Sequence, residues 1–185
     1  MADFIYIFLI AVSLALDAFA VSVSSGLTVK GFNIKHALLM GAYFGGFQFI
    51  MPLIGWFLGS TIAGYVSAVS PYIAFALLAI IGGNMIRSSL KGEDEEALHE
   101  LTHSKLLMLA IATSIDALAV GVTFAFMDIN IWYACTIIGV VAFALSIVGG
   151  MLGGKLGEKF SGRAGIFGGI VLIGIGLKIL IESFL

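Results

Sequence analysis

Apolar runs of about twenty residues follow one another along the chain, broken by short polar or charged gaps, and none shows the alternation of a half-buried strand. A helix needs about 20 apolar residues to cross the hydrocarbon core of a bilayer. Six windows meet that length, Phe4–Gly26, His36–Gly59, Val69–Leu90, Leu106–Met127, Ile131–Gly154 and Ala164–Leu185. They are apolar all round, whereas a membrane β-barrel would show shorter segments of alternating character. The predicted fold class is all-α integral membrane, with six transmembrane helices.

Composition strengthens this picture. Hydrophobic residues make up 61% of the 185 and charged residues only 11%, against roughly 25% charged in soluble domains. So short a chain could not hide that apolar surface behind a wetted shell. The net charge of −2 and the lack of any Lys/Arg-rich run exclude nucleic acid as a partner. Cys135, the single cysteine, cannot form an internal disulfide and is expected to be an inert buried thiol. The first apolar run has no basic leader and contains Asp17, so it is expected to be a retained helix rather than a signal peptide.

Charge in the gaps sets the orientation. Lys30, Lys35, Arg87, Lys91, Lys105, Lys155, Lys159 and Arg163 all fall at the first, third and fifth gaps, which leaves Lys178 over. By the positive-inside rule those gaps are cytoplasmic and both termini are outside.

The chain also repeats itself. With Asp17 set over Asp116, the segment Asp17–Val23 matches Asp116–Val122 at five of seven positions. The second and fifth spans share a G-x-x-x-G, Gly55 to Gly59 and Gly149 to Gly153, and the third and sixth share an Ile-Gly pair, Ile81-Gly82 and Ile173-Gly174. Three spans per half is an odd number, so the second half enters the membrane in the opposite sense. The expected organisation is two inverted three-helix repeats, residues 1–90 and 106–185, joined by a cytoplasmic acidic linker, 91–105. Inverted repeats in secondary transporters place the substrate site near the midplane between the halves.

Asp17 and Asp116 carry the chemistry. Each falls near the middle of its span, where a carboxylate costs roughly 2.5–3.5 kcal/mol on insertion scales and therefore faces a partner or a wet cavity. Ser13 and Ser24 are expected on the Asp17 face, Thr113 and Thr123 on the Asp116 face. Gln48 in the second span and Asn84 in the third add amide oxygens. Two carboxylates with hydroxyl and amide oxygens suit a hard divalent cation, Mg²⁺, Ca²⁺ or Mn²⁺, and protons would compete for the same groups. The alternatives are hydroxyls bonded to their own helix and an amide that merely links helices.

Other features have plainer readings. Lys178 is expected to snorkel outward or pair with Glu182 at i+4, the other reading being a counter-charge for an aspartate. Glu93 to Glu96 with His99, Glu100 and His103 reads as a solvated acidic loop, the other reading being a metal-attracting face. Gly149–Leu156 nearly spells a phosphate-binding loop, but Leu156 replaces the hydroxyl residue, so its glycines read as helix packing, as do Gly41–Gly45 and Gly165–Gly169. No ATP-driven machinery is encoded.

Taken together, Leu16–Ser22, Met51–Trp56, Ala112–Gly121 and Gly169–Gly176 resemble the corresponding segments of the bacterial MntP manganese efflux pumps, a LysE-like exporter group. The resemblance covers nearly the whole chain. It implies a multi-pass protein of the bacterial inner membrane that exports Mn²⁺ as substrate, with no permanently bound cofactor and no enzymatic activity, and with Asp17 and Asp116 as its essential acids. Some members carry an acid where this chain has Gln48. A passive cation channel and, through the two aspartates, an intramembrane aspartyl protease are the competing classes; the latter uses an unlike pair of motifs, whereas both sites here read Leu/Ile-Asp-Ala. Whether the chain forms a homo-oligomer is left open by the sequence.

Overall fold

The computed structural model describes residues 2–59, 72, 75, 76, 78–83, 86, 87, 101–127, 129–159 and 164–182. The described residues form helices and no strand. In chain order these are α1 (Ala2–Thr28), α2 (Ile34–Leu58), α3 (78–83, with further helical residues at 72, 75, 76, 86 and 87), α4 (His103–Phe124), α5 (Ile131–Lys159) and α6 (Ala164–Glu182). Four of them are long and apolar enough to cross a membrane, over Phe4–Thr28, Ile34–Leu58, His103–Phe124 and Ile131–Leu156. The expected spans agree with these helices to within a few residues. Much of the expected third span, with Asn84, and the acidic run 91–100 lie outside the described residues.

Local chemistry sets the helix ends. Asn33 caps α2, its Oδ1 accepting from the amides of Lys35 (2.9 Å) and His36 (3.3 Å), while His36 Nδ1 accepts from the Asn33 amide at 3.2 Å. Gly31, at φ +66°, makes the turn that delivers the chain to this cap. Thr102 caps α4, so that helix begins three residues before the expected span. His103 meets Tyr43 of α2, Oη to Nδ1 2.8 Å, and so ties the start of α4 to its neighbour.

Packing crosses between the halves of the chain. α1 packs chiefly on α5, and α2 on α5 and α4, whereas α1 and α2 touch little. Glycines make these approaches close. A Cβ on Gly149 would lie 2.6 Å from the Phe19 carbonyl oxygen, and one on Gly55 would collide with the Leu118 carbonyl. Phe19 and Leu118 stand two residues after Asp17 and Asp116, so the two G-x-x-x-G glycines meet corresponding points on α1 and α4. The segment resembling a phosphate loop is helical and packs in this way, with Gly153 against Val23.

Two apolar cores result. One gathers Ala18 and Val21, Met40 and Phe44, Leu78 and Ile81, Leu106, Leu109, Ala110 and Ala112, and Leu172. The other gathers Ile7, Ala11 and Leu14, Ala117 and Phe124, and Ile131, Ala134, Cys135 and Ile138, flanked by Phe49, Met51 and Leu53. Between these layers, on α1, α2 and α4, fall Asp17, Gln48 and Thr113 to Asp116.

Candidate metal-binding site

Gln48 is the hub of this polar layer. It is completely buried, and its Nε2 donates to the carbonyl oxygens of Thr113 (2.9 Å) and Leu14 (3.3 Å). Those carbonyls stand one turn before Asp116 and Asp17, at matching places in the repeated segment. Two acceptors on one side fix the amide's orientation. Its Oε1 therefore points away from them, buried and without a hydrogen-bond partner among the described residues, a state that costs roughly 1–3 kcal/mol. Pro52 adds a second acceptor. Proline has no N–H, so the backbone carbonyl of Gln48, four residues earlier, lacks its regular helical donor. The sequence carries this signal as a Gln-x-x-x-Pro spacing.

The two acids flank this hub. Asp17 and Asp116 each stand three residues after a carbonyl that Gln48 bonds, and each feels the other's charge, with Lys178 acting on Asp116 as well. Asp116 Oδ1 accepts from the Ala117 amide at 2.9 Å. Lys178 Nζ lies 3.8 Å from Asp17 Oδ1. Lys178 therefore reaches an aspartate instead of simply snorkelling outward, because α6 packs alongside α1.

The remaining expected ligands divide. Thr113 is buried, but its hydroxyl donates back to Leu109 (2.9 Å) and Ala110 (3.3 Å), leaving its carbonyl as the group turned to Gln48. Ser24 is buried on α1. Ser13 and Thr123 are exposed, and the Thr123 hydroxyl bonds back to Ala119 at 3.2 Å. Asp17 and Asp116 sit at the margins of their helices' buried faces, so residues one step further round, Ser13 and Thr123, turn outward. Among the described residues no three His, Cys, Asp or Glu side chains cluster. Of the expected ligands, the two carboxylates and the oxygens of Gln48 are neither turned outward, as Ser13 and Thr123 are, nor donating back to their own helix, as Thr113 is.

An all-helical, multi-pass membrane protein with a buried, unsatisfied amide between two apolar cores and two partly buried acids in the same layer is what the fold of the described residues defines. Residues 31–180 match the family model described as "Putative manganese efflux pump", and the chain belongs to that family. Relatives bearing the same description include proteins of Methanobrevibacter smithii (51% identical over 177 residues, 96% of each chain), Methanosarcina mazei (49% over 180, 97% of each) and Desulfitobacterium hafniense (47% over 176, 95% of this chain and 93% of the relative). These relatives are named as efflux pumps, not enzymes. No solved structure matches the chain.

Proposed function

We propose that this protein is a secondary transporter that exports Mn²⁺ from the cytoplasm, binding the ion between Asp17, Asp116 and the oxygens of Gln48. One observation carries the reading: the buried Oε1 of Gln48, without a donor among the described residues, on an amide that bridges the carbonyls one turn before Asp17 and Asp116. A hard divalent cation is the partner such a set lacks. Manganese in particular comes from the names of the relatives.

In this reading the chain makes six spans, as two inverted three-helix halves, 1–90 and 106–185, joined by the acidic linker, with both termini outside. Support for the inversion comes from the matched contacts of Gly55 with Leu118 and Gly149 with Phe19, and from Gln48 bridging matched carbonyls. Rocking one half against the other opens the layer to each side in turn. When the metal leaves, protons take up carboxylate charge that is not otherwise matched, which couples export to proton entry. Some relatives are archaeal, so the membrane concerned is the cell membrane in general.

Uptake of Mn²⁺ into everted vesicles holding the purified protein, with and without a proton gradient, tests both parts. Asp17→Asn and Asp116→Asn are expected to abolish saturable uptake. Unchanged uptake in both variants would remove the acids from the mechanism, and gradient-insensitive uptake would remove the coupling.

A further inference from the structure

The last helix brings a lysine to the acids. Ile175 of α6 packs against the core that includes Ala18 and Val21 of α1, and Lys178, one turn later, shares that face. Its Nζ stands 3.8 Å from Asp17 Oδ1, and its charge reaches Asp116 as well. The lysine side chain is 55% exposed and that of Asp17 only 17%, so the ammonium enters the acidic layer from the bundle surface. Helical side chains lean toward the helix N-terminus. Over Gly174, one turn earlier on the same helix, an added Cβ would meet nothing within 4 Å among the described residues, so the Lys178 stem has open space toward the helix N-terminus into which to swing when it leaves Asp17.

We propose that Lys178 is the built-in counter-cation of the transport site, holding the aspartates in the metal-free carrier and displaced when a divalent cation enters. The inference rests on the aspartates being that site. Two carboxylates with one ammonium bring the empty site to within one charge of neutrality, and two carboxylates with one divalent ion bring it to neutrality. Keeping the ammonium beside the metal would leave a surplus positive charge in a medium that solvates it poorly. Metal and lysine therefore alternate, and Lys178 serves the return of the empty carrier rather than the binding of the ion.

The test separates those two steps in the full-length protein reconstituted in liposomes. Exchange of labelled for unlabelled Mn²⁺ across the bilayer needs no empty carrier to cross; net Mn²⁺ efflux does. Lys178→Met is expected to bind Mn²⁺ about tenfold or more tightly, since a competing unit charge is gone, to keep exchange, and to lose most net efflux. Lys178→Arg keeps the charge and is expected to retain net efflux. Equal loss of exchange and net efflux in Lys178→Met without tighter binding, or parental behaviour in every readout, would overturn the proposal. Should Lys178→Met fail to accumulate, Lys178→Gln carries the same comparison. Asp17→Asn is the separate control: if it still binds Mn²⁺ as the parent does, the site reading itself fails, whatever Lys178 does.

Discussion

Gly45 of α2 and Gly139 of α5 approach each other reciprocally: a Cβ on Gly45 would lie 2.8 Å from the Gly139 carbonyl oxygen, and one on Gly139 would lie 3.0 Å from that of Gly45. Their flanking phenylalanines repeat the relation, Phe143 standing 2.8 Å from the first Cβ and Phe49 2.9 Å from the second. Gly45 and Gly139 have the same spacing in the chain as Gly55 and Gly149. Adjacent Gly46 has nothing within 4 Å of its added Cβ. Gly45→Ala is therefore expected to destabilise the bundle by about 1–3 kcal/mol through overpacking. Gly46→Ala should be neutral or stabilising by up to about 1 kcal/mol. Thermal unfolding in detergent distinguishes the two, and similar losses would contradict the reciprocal contact.

Gln48 offers a cleaner separation of stability from function. Leu14 and Thr113 lie inside helices, so their carbonyls keep their regular helical donors when the amide is removed, while an unsatisfied Oε1 disappears with it. Gln48→Leu is expected to cost less than about 1 kcal/mol, or to stabilise. Mn²⁺ binding, by contrast, should weaken by about tenfold or more through loss of an oxygen ligand. A variant that unfolds readily but binds normally would make Gln48 a helix tie and nothing more.

Local rules account for much of what is legible in the chain. Span positions follow from hydropathy, and the repeat from a short motif around each aspartate. Facing partners are different, because they depend on which side of a helix the bundle covers. Ser13 shares a stripe with Asp17 at i−4, yet Asp17 is already at the edge of the buried face formed by Leu14, Ala18 and Val21, so Ser13 turns out. Lys178 has Glu182 at i+4 in the sequence, and only the packing of α6 beside α1 selects the counter-charge reading over that pair. The cross-half packing of α1 on α5 was equally hidden, since glycine pairs announce close approach but not to whom.

Pro52 makes its own prediction. Alanine there restores a backbone N–H that can engage the Gln48 carbonyl and removes a break from α2. Pro52→Ala is expected to leave the helix as stable or more stable, while Mn²⁺ affinity falls because that oxygen is taken. Parental affinity in a stabilised variant would take the Gln48 backbone carbonyl off the ligand set and leave its side-chain oxygen in place.

The two acids should behave as a unit. If Asp17 and Asp116 hold one ion together, either Asn substitution already destroys the site, since removing one unit charge next to a divalent ion costs at least about a hundredfold in affinity even at an effective dielectric of 20. The double variant then has little left to lose, and the three dissociation constants should lie close together, a strong departure from additivity. Independent sites would behave otherwise, each single variant keeping one intact class of Mn²⁺ binding and the double variant losing both. Titration of Mn²⁺ by its paramagnetic resonance signal, on the parent and all three variants, decides between them. One bound ion per chain in the parent, and binding weakened to a similar degree in all three variants, is the expected result.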